Sequence, residues 1–146
     1  MEIFTIGFTK KSAAQLFGAL RDAKIEHLLD VRLNNVSQLA GFTKRDDLAF
    51  FVRELCHAAY RHELMLAPTQ TMLDDYKKGG GSWLQYERAF LTLMADRQIE
   101  KCVDRTLFET ARTVLLCSEP TAERCHRRLV VEYLADKWGG VAAVHL

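Results

Sequence analysis

The sequence predicts an α/β fold: a single three-layer Rossmann-like domain over residues 1–146, with a mainly parallel sheet of about four or five strands. Three observations predict it. Short apolar, β-branched runs occur at residues 2–6, 27–31 and 113–117. Segments with helical apolar stripes separate them. Polar residues follow the carboxyl ends of the runs, which is where open parallel sheets bind ligands.

The first run, 2–6, ends at Gly7 and reads as a buried strand. Ser12 and Gln15 have the spacing of a capping box, and Ala13, Leu16, Phe17 and Leu20 make one helical stripe behind it. With the run at 27–31 these form a βαβ unit, whose strands are parallel and whose crossover is right-handed. Residues 32–42 carry Asn34, Asn35, Ser37, Gln38 and Gly41 without a period, and read as a long polar loop. Thr43 and Asp46 are candidate caps for a helix with the stripe Leu48, Phe51, Val52 and Leu55.

Residues 60–68 read as extended or irregular, and 69–78 as a short helix stopped by Gly79-Gly80-Gly81. Ser82 and Gln85 form a second capping box, opening a helix that carries Trp83, Tyr86, Phe90 and Met94. A short helix is expected near 104–109. After the strand at 113–117 and a loop at 118–121, a long helix runs to Trp138, is stopped by Gly139-Gly140, and leads into a last strand at 141–145.

Composition narrows the function classes. About half the residues are hydrophobic (49%) and only two are proline, which excludes a disordered or low-complexity chain. The formal charge of +1 argues against a polyelectrolyte held to nucleic acid by net charge. No apolar run approaches the roughly 20 residues of a membrane helix, and residues 1–7 lack the pattern of a secretory signal, so no membrane partner is expected. A cytoplasmic location follows as the expectation, with Cys56, Cys102, Cys117 and Cys125 as thiols. Homo-oligomers are compatible with the sequence, which carries no readable trace of oligomeric state.

If the strands are parallel, Thr9, Asp30, Arg32, Cys117, Glu119 and His145 share one edge of the sheet. The densest stretch is 117–128, with Cys117, Glu119, Cys125, His126 and Arg127. Stepping back four residues from Leu129 and Val130 reaches Cys125 and His126, so both lie at the start of the helix's buried stripe. A helix N-terminus stabilises thiolates and other anions. Bland roles compete: the cysteines as small core residues, His126 as a strand-edge hydrogen bonder, Arg127 and Arg128 as a solvated face, Asp30 and Arg32 as a structural ion pair, and Cys56 and Cys102 as parts of helical stripes.

Sharper chemistries are constrained by spacing. Six residues separate Cys117 from Arg124 and include Pro120, which has no amide hydrogen, so a phosphatase-type loop is disfavoured. Cys117, Cys125 and His126, with His62 or His145, could bind zinc, but the spacing is not that of a zinc module. No metal and no cofactor is assigned. A Cys117–Cys125 redox pair is geometrically conceivable because one residue ends a strand and the other begins a helix.

The same residues carry a resemblance. Thr5-Ile6-Gly7-Phe8-Thr9, Asp30-Val31-Arg32, Ser37 with Phe42, Tyr60 and His62, Cys117-x-Glu119, Cys125-His126-Arg127 and Val144-His145-Leu146 resemble the family called domain of unknown function 488, essentially from end to end. Leu33-Asn34-Asn35, residues 37–42 and Leu66-Ala67-Pro68-Thr69 resemble one subgroup of it. The chain departs at Asn35, where many relatives carry proline. The resemblance implies a small α/β cytoplasmic protein and supplies no reaction.

Two functions are therefore expected from the residues. In the first, a thiol enzyme acts on an anionic substrate such as a nucleotide or nucleic-acid base. Cys117 or Cys125 supplies the thiol, His126 is the base and Glu119 orients, while Thr9, Asp30, Arg32, Asn35, Ser37 and Arg127 form an anion-binding site. In the alternative, a non-catalytic module binds nucleotide or nucleic acid through residues 34–38, with Lys10, Lys11, Lys44 and Arg45 on phosphates.

Overall fold

A computed structural model describes residues 1–36 and 40–146. Among them, β1 (Glu2–Gly7), β2 (His27–Asp30), β3 (Ala59–His62), β4 (Thr113–Cys117) and β5 (Ala142–His145) form one sheet in the order β3-β2-β4-β1-β5. Every pairing is parallel. This is the expected three-layer α/β architecture, at the upper end of the expected strand number.

Strands β1 and β4 lie inside the sheet, which is why they read as unbroken apolar runs. β3 is an edge strand whose residues alternate between exposed and half-buried. Its Ala-Tyr-Arg-His sequence therefore lacks the apolar signature, and an extended stretch was all that could be read there.

Side chains alternate along each strand and feed two cores. Phe4, Ile6, Leu28, Val114 and Leu116 point toward α1 (Ala13–Asp22) and α2 (Arg45–Cys56), meeting Leu16, Leu20, Leu48 and Val52. Ile3, Leu29, Val31, Leu115 and Cys117 point the other way. There they meet α3 (Gln70–Lys77), α4 (Trp83–Arg97), α5 (Ile99–Cys102), α6 (Thr106–Thr110) and α7 (His126–Trp138). Each fully buried aliphatic side chain in these layers contributes about 1.5–3 kcal/mol.

Both capping boxes form. Ser12 Oγ accepts from Gln15 N at 3.1 Å while Gln15 Oε1 accepts from Ser12 N at 2.8 Å, and Ser82 and Gln85 repeat the exchange at 3.2 and 3.1 Å. The start of α2 differs from expectation. Lys44 is its N-cap, with no side-chain cap bond, because the Thr43 hydroxyl donates to Ala40 O within a 3₁₀ turn (Gly41–Thr43). Leu55 and Cys102 are exposed and do not belong to buried stripes. The long last helix starts at His126, later than read from sequence, because Cys125 is extended (φ −136, ψ 139). Among the described residues no helix is long and apolar enough to cross a membrane.

The topology fixes where a ligand can enter. After β1 the chain leaves to the α1 face, and after β4 it leaves to the α7 face. After β2 the chain likewise leaves to the α1 face, and β2 and β4 are neighbours, so a crevice opens at the carboxyl ends of β2 and β4.

Candidate functional site

β1 and β4 end in register, Gly7 opposite Cys117. The chain leaving β4 crosses directly over Gly7: a Cβ there would lie 1.5 Å from the Glu119 carbonyl oxygen. Only glycine admits that crossing. It is held by Thr9 N donating to Ser118 O at 3.0 Å and by Arg127 Nη1 donating to Glu119 O at 2.8 Å.

The crossing segment delivers the first turn of α7 against the ends of β2 and β4. His126, buried there, places Nε2 2.7 Å from Val31 O. A carbonyl oxygen only accepts, so Nε2 carries a hydrogen, and in the neutral ring the lone pair is then on Nδ1. Cys117 Sγ lies beside the ring, 3.6 Å from Nδ1 and 3.9 Å from Nε2. The Phe90 ring, 5.3 Å from the imidazole centre to centre, closes its other side.

Cys125, one residue earlier, brings a second buried thiol. The two sulfurs and a His126 ring nitrogen all lie within 4.8 Å of one another. The Cys125 thiol donates to Cys117, which holds Cys117 below the ordinary thiol value despite its burial. The same bond, reinforced by burial, pushes Cys125 well up. Of the two thiols, Cys117 is the one whose ionisation these surroundings favour. The arrangement can present a thiolate beside an imidazole. Its donors, two sulfurs and a nitrogen, are also of the type that holds soft divalent ions.

Cys117, Cys125 and His126 line a pocket of about 150 Å³. Tyr76, Trp83 and Tyr86 form an aromatic wall, with Trp83 5.9 Å from Tyr76 and stacked on Tyr86 at 5.3 Å. Lys77 and Arg124 supply positive charge, lining Arg32 is paired with Asp30, and Glu119 is an exposed lining residue.

Arg32 is positioned with care. Its Nε and Nη2 each donate to the Asp30 carboxylate at 2.8 Å, Nη2 also donates to Thr43 O at 2.7 Å, and the guanidinium lies 5.0 Å from the Phe8 ring centre. Asp30 is fully buried and also accepts from Tyr60 Oη at 2.7 Å, which in turn accepts from Asn35 Nδ2 at 3.0 Å. Burial and the Asp30 bond push the Tyr60 hydroxyl up. His62 Nε2 lies 2.7 Å from Arg32 O.

The expected residues therefore separate. Cys117, Cys125, His126, Glu119 and Arg32 line the pocket. Asp30 and Asn35 stand behind Arg32 rather than in the lining. Thr9 lies at the edge and is tied to Ser118 through its backbone. Arg127 is not a solvated residue: it is 1% exposed and turned toward Gly7 and Glu119 O. Burial, then Arg127, lowers Lys11 and His145 beside it. His145 Nδ1 bonds Thr5 Oγ1, away from the thiols. Ser37 lies outside the described residues. Sequence reasoning did not find Tyr60, Tyr76, Lys77 or Trp83 as site residues. Aromatic residues on both sides of Gly79-Gly80-Gly81 were the available signal, since that turn folds α3 back on α4.

A family model described as Domain of unknown function DUF488 matches residues 12–134. The chain belongs to this family. The matched span of the DUF488 model takes in Asp30, Arg32, Cys117, Glu119 and the Cys125-His126-Arg127 run, and leaves out Gly7, Thr9 and His145. No curated protein and no solved structure matches the chain.

Proposed function

We propose that this DUF488 chain is an enzyme dependent on the Cys117 thiol, acting on a small anionic substrate of nucleotide or nucleobase type. The observation that carries the reading is the imidazole whose Nε2–H is committed to Val31 O, leaving Nδ1 as the basic nitrogen beside Cys117 Sγ at 3.6 Å. A base with a fixed tautomer beside a thiol is what nucleophilic catalysis requires. His126 Nδ1 takes the proton of Cys117, and the thiolate faces the pocket. Cys125 remains a thiol and donates to it.

Substrate chemistry follows from the walls. Lys77 and Arg124 favour an anionic group, and the faces of Trp83 and Tyr76 favour a planar one. Glu119 orients a ligand group at the rim. Asp30 and Asn35 hold Arg32 in place, and Arg127 holds the crossing segment.

The test is alkylation of chelator-treated, folded protein by iodoacetamide, followed by mass spectrometry for each cysteine. Cys117, though buried, is expected to react faster than exposed Cys102, and to be protected by whichever nucleoside monophosphate quenches Trp83 fluorescence. A Cys117 that reacts only on unfolding would overturn the enzyme reading. Quenching without Cys117 reactivity would leave the alternative, a nucleotide-binding module built on the same aromatic wall.

A further inference from the structure

We propose that Cys117 Sγ, Cys125 Sγ and His126 Nδ1 form a site for one soft divalent cation, zinc above all, with its fourth coordination position open to the pocket.

Distance is the first argument. A tetrahedral zinc ion has Zn–S of about 2.3 Å and Zn–N of about 2.0 Å, so its donors stand about 3.5–4 Å apart. Cys117 Sγ and His126 Nδ1 are 3.6 Å apart, and no pair in the cluster exceeds 4.8 Å.

The second argument is the imidazole's other nitrogen. A ligating histidine generally donates its remaining N–H to a carbonyl or carboxylate, which fixes the ring and strengthens the donor nitrogen. His126 Nε2 makes that bond to Val31 O at 2.7 Å. The partner that would orient a metal ligand is thus present, and Nδ1 is the nitrogen left to ligate, with Cys117 Sγ beside the ring at 3.6 Å from Nδ1 and 3.9 Å from Nε2.

The third is chemical identity. Two thiols and an imidazole exclude hard cations such as magnesium, which take oxygen donors. Binding replaces two S–H protons: the ion joins both sulfurs, two protons pass to solvent, and the dication with two thiolates and a neutral imidazole is a neutral group. A buried site tolerates a neutral group far better than a charged one.

The fourth is access. All three residues line the pocket, so a fourth ligand, water or a substrate anion, reaches the ion from there. Three protein ligands and an open position characterise reactive rather than structural zinc. The spacing in sequence is unlike a zinc module because one ligand comes from a strand end, while two adjacent ones come from the N-cap and first residue of α7.

The inference rests on the location given by the thiol reading, and holds whether the Cys117 thiolate attacks a substrate or only ligates. The experiment is titration of reduced, chelator-stripped full-length protein with cobalt(II), followed by displacement with zinc. One equivalent is expected to give sulfur-to-cobalt charge-transfer absorption and the visible bands of a tetrahedral site. Changes to partners of a ligand already cost about 10–100-fold in affinity, so C117S and C125S are expected to lose at least about 100-fold. The C56S/C102S double variant is expected to bind unchanged. On the unaltered protein, zinc should slow alkylation of Cys117 and Cys125 and leave Cys102 alone, a readout independent of whether any variant folds. Absence of the charge-transfer band on folded protein, or a band undiminished in C117S, overturns the proposal. Fast Cys117 alkylation without a cobalt band removes the metal and leaves the thiol reading standing. A cobalt band with Cys117 inert in the metal-free protein does the reverse.

Discussion

The Asp30 carboxylate is fully buried and accepts four hydrogen bonds, three from Arg32 (N, Nε, Nη2) and one from Tyr60. Removing one member of such a pair leaves the other charge desolvated and unpaired, at a cost of about 3–5 kcal/mol. D30N is therefore expected to lose about that much stability in urea unfolding, and Y60F, which deletes one bond to a charged group, about 1.5–3 kcal/mol. The double variant should lose less than the sum, because both act on one network. A D30N midpoint near wild type would mean that the network is not formed. Glycines separate by the same local reasoning. G7A puts a methyl 1.5 Å from Glu119 O, a backbone atom that cannot rotate away, so it is expected to lower stability by at least about 1–3 kcal/mol. G18A, in α1 with nothing within 4 Å of the new Cβ, is expected to raise it by about 0.5–1 kcal/mol. Thermal melts of both variants check the opposite signs.

Among the elements, α7 is anchored at two points by different chemistry: the thiol–imidazole cluster at its start, and Tyr133 further along. Tyr133 Oη donates to Glu100 Oε2 of α5 at 2.7 Å. Burial, then that bond, pushes the Tyr133 hydroxyl up to about 12, and the same hydrogen bond holds the Glu100 carboxyl below its ordinary value of 4.5. A raised folded value means that the tie stabilises fully below the unfolded tyrosine value of about 10, and is lost as pH rises through about 12. A depressed carboxyl means that it is also lost as pH falls below about 4.5. Wild-type Tm should therefore fall more steeply than that of Y133F at both extremes, and the two curves should run parallel between them. Equal slopes would show that the bond contributes nothing. The helices most legible in the sequence carry local signals: the capping boxes of Ser12 with Gln15 and Ser82 with Gln85, and the glycine stops after α3 and α7. The start of α2 was misread because Thr43 spends its hydroxyl on Ala40. Short α5 was not anticipated: Gln98, left-handed at φ 50, separates it from α4, and glutamine carries no marker for that conformation.

At the scale of the whole molecule, the site exists because neighbouring strands β2 and β4 send their chains to opposite faces. That much was legible: short apolar runs ending in Gly7, Asp30 and Cys117 place polar residues at one edge of any parallel sheet. The strand order was not, since β4 inserts between β1 and β2 from more than 80 residues away in the chain, and no local pattern encodes that pairing. The aromatic wall was missed for the same reason, because α3 and α4 meet Cys117 only in three dimensions. One sheet shared by two cores also makes a claim about cooperativity. Both tryptophans, Trp83 and Trp138, pack on the α7 face, while Leu16 belongs to the α1 face. L16A should cost about 2–5 kcal/mol. If the 146 residues fold as a single domain, that loss must appear equally in far-UV circular dichroism and in tryptophan fluorescence, although no tryptophan touches the altered core. Every strand with a residue in the α1-face core also contributes to the sheet, so the two layers have no path to unfold separately without breaking strand pairs. Dichroism midpoints that move while fluorescence midpoints stay would show two independently melting layers.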